Sequence, residues 1–238
     1  MNITKTAVKR TAVAGVALTA ALTMAACSSD SGSDTSSTST SAAAATESTV
    51  TNPEPIATIP AIQPGGDTSV ALDQGFLDAL TSLNITPGVI GTATLADGAL
   101  DFPITGGTAT VYPKDSGYRP FVQGAIFHQG SGISLTAGEN VIQLENFVVV
   151  PSKPAILFAD VSVNGTLAAA SFPLFNLNGS TLEPITVDSA GNAILTGTKV
   201  EVSPAAAEFL NTTLGAPGAV PDNFLVGVAT LTVPTAAG

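Results

Sequence analysis

Residue types that perform chemistry in proteins are few in this chain. His128 is the only histidine and Cys27 the only cysteine, so a zinc site built from several His or Cys ligands is excluded. Ser131 follows His128 closely in the stretch HQGSGIS, a spacing that could place a serine nucleophile beside a base. No G-x-S-x-G elbow accompanies it, and the neighbouring glycines favour a hairpin turn at QGSG. The sequence therefore predicts a protein that is not an enzyme, and a hydrolase with an unrecognised site is the least favoured function.

Cys27 lies at the boundary between an apolar run and a serine-rich segment. Lys5, Lys9 and Arg10 precede the uncharged run TAVAGVALTAALTMAA. A basic start, a short apolar run and small residues are typical of a secretory signal peptide. The run is too short and too rich in alanine for a transmembrane helix, which needs about 20 predominantly apolar residues. The sequence therefore predicts a signal peptide at residues 1–26.

The four residues MAAC at 24–27 resemble the lipobox of bacterial lipoproteins. The resemblance implies that Cys27 receives a diacylglyceryl group and becomes the N-terminus of the mature protein. Two acyl chains give a stable membrane anchor, whereas one chain gives only marginal binding. The alternative is an ordinary secretory signal with an incidental cysteine near the cleavage site.

The charge of the chain restricts its partners. Three of the seven basic residues precede Cys27 and all 18 acidic residues follow it. The mature chain then has four basic residues against eighteen acidic ones, a formal charge of −14. Such a surface is repelled by nucleic acids and by anionic lipid head groups. We expect no nucleic-acid partner, and we expect the lipid to hold the protein at the extracytoplasmic face of the cell membrane.

Composition divides the mature chain into a tether and a domain. Residues 27–65 are rich in serine and threonine and then in proline, which predicts a disordered linker. Residues 66–238 have a length suited to one domain. Only 11% of all residues are charged and 45% are hydrophobic, so this part should bury a core.

Short strands separated by Gly, Pro, Asn and Asp dominate residues 66–238. In LDFPI, for example, Leu100, Phe102 and Ile104 alternate and should share one face. Two helices interrupt the pattern, one in SVALDQGFLDALTSL at 69–83 and one in SPAAAEFLNTTLG at 203–215. Ser203 and Pro204 are typical of a helix start in the second. The pattern predicts a mainly β fold, an antiparallel sandwich or barrel-like domain with two short helices.

Three parts of the predicted domain form a recognisable series: FVQGAIFHQGSGISL, then ENFVVV with ILFADVSVNG, and finally SPAAAEFLNTTLG with LVGVATLTV. Together these segments resemble the HtaA-type domains of actinobacterial surface proteins. The similarity covers about residues 117–233. HtaA-type domains bind haem through a tyrosine supported by a histidine, so the resemblance implies that Tyr112 or Tyr118 acts with His128. Haem is the only cofactor that the sequence suggests.

The spacing of these three residues leaves a second interpretation open. If PKDSG closes a hairpin, Tyr112 and Tyr118 face each other at its turn. His128 would then lie about 33 Å along an unbroken strand from Tyr118, at about 3.3 Å per residue. One iron could join them only if the strand broke, for example at Pro120. Otherwise His128 is a core or rim residue on the face that Ile126 shares, and the tyrosines cap the hairpin.

The sequence therefore favours a non-catalytic, membrane-anchored lipoprotein whose β-rich domain binds or displays a ligand at the cell envelope. Haem capture of the HtaA type is the alternative.

Overall fold

The computed structural model describes residues 52–235. Cys27, the predicted signal peptide at 1–26 and the predicted linker up to residue 51 lie outside the described residues. Neither helix within 52–235 combines the length and the hydropathy needed to cross a bilayer.

The described residues form one curled antiparallel sheet with two α-helices, which confirms the predicted mainly β, barrel-like class. The strands are β1 (Ala57–Ile62), β2 (Asp67–Leu72), β3 (Ile85–Gly91), β4 (Thr94–Ala96), β5 (Ala99–Pro103), β6 (Gly106–Val111), β7 (Val122–Ala137), β8 (Asn140–Val150), β9 (Ala155–Val163), β10 (Thr166–Asn178), β11 (Thr186–Val187), β12 (Asn192–Val202) and β13 (Leu225–Pro234). The helices are α1 (Gln74–Ser82) and α2 (Pro204–Thr213). Two single-turn 3-10 helices lie at Lys114–Ser116 and Gly179–Thr181.

Neighbouring strands follow the order β1-β6-β7-β8-β9-β10-β12-β13-β2-β5-β4 across the sheet. Strand β3 pairs with β7, and β11 pairs with β12. The neighbouring strands from β6 to β10 are consecutive in the chain, as in a meander. The strand β2 instead comes from the start of the domain and inserts between β13 and β5. This insertion brings the first part of the domain against its last strand.

Strand β1 lies inside the segment that the sequence assigns to the linker. It pairs with β6 from Ala57 opposite Val111, so the sheet begins earlier than the predicted domain boundary at residue 66. The prolines in this segment led the prediction away from a strand. An edge strand tolerates proline, because the missing N–H is not needed on its free side. The register shifts between Ile59 and Ile62, where Pro60 lies.

The predicted hairpin turn at QGSG is wrong. These residues lie within the 16-residue strand β7, which continues through them. The first half of β7 pairs with β6 and the second half pairs with β3. Gly130, with φ of +73°, forms a bulge in this strand instead of reversing the chain. The glycines do mark a change of backbone direction, but it is a bend within β7, between the half that pairs with β6 and the half that pairs with β3.

The second predicted helix is confirmed and the first is shorter than predicted. Helix α2 starts after Ser203, whose side chain accepts a hydrogen bond from the Ala206 N–H. Helix α1 starts only at Gln74, after Asp73 as the N-cap. The residues before Asp73 are extended in β2, because they pair with strands on both sides. Tertiary pairing therefore overrides the helical spacing at the start of the predicted segment.

Both helices close the same end of the curled sheet. Phe76 of α1 packs against Phe224 with ring centroids 6.4 Å apart. Leu80 of α1 and Leu210 of α2 line one small void together with Leu135 of β7. The buried apolar residues of the strands and helices form a single cluster. The interior beyond the helices therefore continues towards the opposite end of the sheet.

Candidate functional site

A cavity of about 430 Å³ occupies the interior of the sheet beyond the helices. Its size lies within the range of about 300–1,000 Å³ that small-molecule sites span. Apolar side chains make most of its wall, contributed by strands β2, β5, β7, β8, β9, β10, β12 and β13. Representative members are Phe102, Ile133, Phe147, Leu157, Val200 and Leu231. The cavity is therefore suited to an apolar ligand or to the apolar part of a larger one.

Strand periodicity decides which side chains face the cavity. Residues two apart in a strand share a face, and along β7 this places Ile126, His128 and Ile133 in the wall despite the bulge between them. Leu135 comes next on that face and contacts the helix-closed end instead. Val200 and Val202 of β12 differ in the same way. Val200 lines the cavity, whereas Val202 lines the small void beside the helices. One continuous inner face thus serves the packed core at one end and the cavity at the other.

His128 is a buried wall residue with 1% of its surface exposed. Its Nε2 lies 2.8 Å from the Thr68 hydroxyl oxygen, which belongs to β2 and also lines the cavity. Its Nδ1 is buried and has no hydrogen-bond partner. Burial lowers the pKa of His128 to about 4. At neutral pH the imidazole is therefore uncharged.

A row of bulges positions this histidine. The β7–β8 register shifts between His128 and Gly132, next to a further shift between β8 and β9. Asn146 accepts a hydrogen bond from the Gly130 N–H at 3.0 Å and donates one to Asp160 at 3.0 Å. Asp160 in turn accepts from the N–H of Ser171, another residue with positive φ. These bonds tie the irregularities of four adjacent strands together, where bulges increase the bend of a sheet.

Ser131 does not interact with the His128 ring. Its side chain is buried, with 1% exposed, and donates a hydrogen bond to the backbone carbonyl of His128 at 3.0 Å. The ring nitrogen Nε2 is bonded to Thr68 instead. The hydroxyl thus stabilises the bulge. The residue pair that suggested nucleophilic catalysis has the geometry of a backbone support.

Tyr112 and Tyr118 pack against each other and not against His128. Their ring centroids are 4.7 Å apart in an edge-to-face arrangement, in the connection between β6 and β7. Neither tyrosine lines the cavity, whereas Phe121 from the same connection does. The structure therefore brings the two tyrosines together at the hairpin and leaves His128 in the cavity wall. Their role as ligands stays a prediction, and Cys27 lies outside the described residues.

Three features of the site were not found from the sequence: the cavity, the Thr68 partner and the row of bulges. Thr68 is far from His128 in sequence, and only the insertion of β2 beside β13 brings them together. The bulges did leave a signal, because Gly130 and Asn146 interrupt apolar strand patterns. Among residues 52–235, no group of three or more His, Cys, Asp or Glu side chains could hold a metal ion.

Comparison with known proteins supports the fold. No family model matches the chain, and neither does any curated protein sequence. The crystal structure of the C-terminal domain of HtaA from Corynebacterium glutamicum is similar, with a TM-score of 0.50 and 14% identity over 73% of this chain and 98% of that one. The N-terminal domain of the same HtaA gives a TM-score of 0.48 and 10% identity, over 73% and 99% of the two chains. At 14% identity, the similarity to the C-terminal domain shows a shared β-rich fold, in agreement with the resemblance found in the sequence.

Proposed function

We propose that this chain is a membrane-anchored extracytoplasmic lipoprotein whose β-rich domain binds an apolar small molecule without chemically changing it. The observation that carries the proposal is the apolar cavity of about 430 Å³ inside the sheet. Protein interiors are close-packed and have few voids larger than a water molecule. An apolar space of this size at one end of an otherwise packed core is therefore a functional feature.

A binding role agrees better than catalysis with the polar groups of the cavity. His128 is neutral, nearly fully buried and bonded to Thr68. Ser131 is held on a backbone carbonyl. General acid–base catalysis is most effective when the pKa of the group lies near the working pH, and His128 does not meet this condition.

Binding can be tested with the neutral fluorescent probe N-phenyl-1-naphthylamine. The full chain with Cys27→Ser would be used, because this change removes the predicted acylation site. We expect saturable probe fluorescence. Leu195 lines the cavity, so the larger side chain of Leu195→Trp would occupy part of it and should weaken the affinity for the probe at least about tenfold. The matched control is Leu167→Trp, since Leu167 is 60% exposed and not part of the wall.

The chain contains no tryptophan, so each variant also gains a fluorophore that reports whether it is folded. Absence of saturable probe binding to the folded chain would overturn the proposal. Equal weakening by both tryptophan variants would also overturn it, because the probe would then bind elsewhere.

Membrane anchoring rests on the sequence around Cys27. Metabolic labelling with an alkyne palmitate analogue should label the wild-type protein and not the Cys27→Ala variant. Equal labelling of the two proteins would contradict the predicted anchor.

Haem capture is the second candidate, favoured by the position of His128 in the wall of a cavity within an HtaA-like fold. A haem ligand would have to be His128, or one of the tyrosines after the β6–β7 connection rearranged. Titration of the full-length Cys27→Ser chain with haemin should give a shifted Soret band. His128→Ala, Tyr112→Phe and Tyr118→Phe would then identify the ligand, and an unshifted titration would remove this candidate.

A further inference from the structure

Basic residues are concentrated at one place in the domain. Beyond residue 51 the chain has four, Lys114, Arg119, Lys153 and Lys199, against a large excess of acidic residues. Lys153 lines the cavity and is itself exposed, so the cavity opens to water beside it. Lys114 and Arg119 lie on the ring of Phe121, which lines the same cavity. Three of the four basic side chains therefore line this cavity or contact a residue that lines it.

The geometry of this rim is set by two connections. The Lys114 Nζ lies 5.1 Å from the centroid of the Phe121 ring, and the Arg119 guanidinium carbon lies 6.0 Å from it. Lys153 lies in the connection between β8 and β9, flanked by Ser152 and Pro154, which also line the cavity. Lys114, Arg119 and Lys153 are all exposed. They can therefore meet a charged group at the opening without leaving water.

Arg119 and the lysines have different tasks on the rim. Arg119 donates to the backbone carbonyls of Tyr118 at 2.8 Å and Lys114 at 2.9 Å, so its guanidinium holds the loop together. Asp115 is exposed in the same loop and offsets part of the positive charge. The ammonium groups of Lys114 and Lys153 then remain as the charges that a ligand can meet. Ammonium groups act as point charges for anions and do not impose a bidentate geometry.

We infer that the cavity takes an anionic amphiphile with a single aliphatic chain, a long-chain fatty acid, with the chain inside and the carboxylate at the rim. This inference rests on the proposed function and names the class of ligand. Charge complementarity carries it, because an acidic protein has placed most of its cations around its apolar opening.

The interior fits an aliphatic chain. Apart from Thr68, His128 and Thr198, and from Ser152 and Lys153 at the rim, the wall is mostly apolar, with side chains such as Ile133, Phe147 and Leu231. Burial of an aliphatic chain needs no directional partner and gains in proportion to the apolar area removed from water. The polar end of such a ligand would have to remain at the opening, which is where the lysines lie.

The experiment compares two ligands that share a chain and differ in charge. Palmitate and hexadecanol would each displace N-phenyl-1-naphthylamine from the full-length Cys27→Ser chain at pH 8, at concentrations below the solubility limit of each ligand. The same titrations would be made with Lys153→Gln, Lys114→Gln and the double variant. Lys199→Gln is the matched control, because Lys199 lies on β12 and does not line the cavity.

We expect wild-type protein to bind palmitate more tightly than hexadecanol. Each rim substitution should weaken palmitate roughly two- to five-fold, as expected for exposed ion pairs, and leave hexadecanol unchanged. The preference for palmitate should also shrink as salt is raised from 0.01 to 1 M, since the screening length falls from about 30 to about 3 Å. Lys199→Gln should bind both ligands like wild type.

Different results would contradict the anionic ligand and the apolar binding site. If the probe binds but palmitate shows no preference over hexadecanol, or the rim variants lose nothing relative to Lys199→Gln, the anionic ligand is wrong and the apolar site stands. If neither palmitate nor hexadecanol displaces a bound probe, the aliphatic ligand is wrong. If lysophosphatidate displaces the probe much better than palmitate does, the inferred carboxylate is wrong and the head group at the rim is a phosphate.

Discussion

The buried, neutral state of His128 predicts a measurable loss of stability in weak acid. The folded chain lowers the pKa of His128 from 6.5 to about 4, with burial as the main cause. The unfolded chain keeps a pKa near 6.5. Between these values the unfolded state binds more protons, so the free energy of unfolding rises with pH and falls as the pH is lowered. The contribution of His128 is fully present above pH 6.5 and is lost progressively towards pH 4.

The magnitude follows from the difference between the two pKa values. One pKa unit corresponds to about 1.4 kcal/mol, so the complete effect is about 3 kcal/mol. Between pH 7.5 and pH 4.5 most of it is expressed, and the wild-type protein should lose about 2.5 kcal/mol from this residue. Domains are commonly stable by only about 5–15 kcal/mol, so the change should be plain in a denaturant titration.

Other carboxyl groups also titrate in acid and must be separated from His128. Burial, and then the charge of Asp101, raise the pKa of Asp67, which makes the folded state more stable as its carboxyl takes up a proton. Hydrogen bonds from the backbone and side chain of Asn192 lower the pKa of Asp188, which acts in the opposite direction below about pH 4. Both groups are present in a His128→Gln variant. The difference between wild type and this variant therefore isolates the histidine.

The assay is urea unfolding of the wild-type domain and His128→Gln at a series of pH values from 4.5 to 7.5. Glutamine keeps a polar group near Thr68 and cannot titrate in this range. Between pH 7.5 and pH 4.5, the free energy of unfolding should fall by about 2.5 kcal/mol more for the wild-type protein than for the variant. Because the chain has one histidine, the ring resonances give the folded pKa directly by NMR. A ring that titrates near pH 6.5, or two parallel stability curves, would refute the burial argument.

Four further substitutions test how the sheet and helices are built. Gly124 has φ of +124°, and an added Cβ would lie 2.1 Å from the Thr108 carbonyl oxygen, so Gly124→Ala should cost about 2–4 kcal/mol in thermal or urea unfolding. Gly98→Ala, at φ of +78° with open space around it, should cost only about 1 kcal/mol, and equal losses would contradict the steric reasoning. Ser203→Ala removes the cap of α2 and should lower the free energy of unfolding by about 1–2 kcal/mol, and an unchanged value would show that the cap is dispensable. Asn146→Gly keeps a residue that tolerates positive φ but removes the bonds to Gly130 and Asp160, so it should cost about 1–3 kcal/mol, and a neutral result would show that the bulges persist without these bonds.

The fold class followed from the sequence because short-range patterns determine it. Leu100, Phe102 and Ile104 alternate in LDFPI, and all three are buried with 6%, 6% and 1% of their surfaces exposed. The cap of α2 was equally readable, since Ser203 and Pro204 act on their immediate neighbours. These features depend on residues close in the chain.

The predictions that needed correction depend on pairing between distant segments. The glycines of QGSG can make either a turn or a bulge, and the choice is settled by β3 and β6, which both pair with β7. The start of α1 is likewise decided by the pairing of β2 with β13 and β5. Local sequence indicates that a glycine can adopt unusual backbone angles or that a segment favours a helix. It does not indicate which distant strand will pair with that segment.

The cavity shows the same limit at the level of packing. Alternation identifies which side chains of β7 face inwards, but Ile133 and Leu135 have the same pattern and different surroundings. The two helices supply apolar side chains only at one end, so Leu135 is packed while Ile133 faces the cavity. The apolar inner face of this curled sheet is longer than the two helices can cover. The uncovered part must be filled either by the side chains of the strands or by a ligand. The strands here carry branched side chains of ordinary size, so the remainder is a cavity, and Lys114 and Lys153 lie where its contents would meet water.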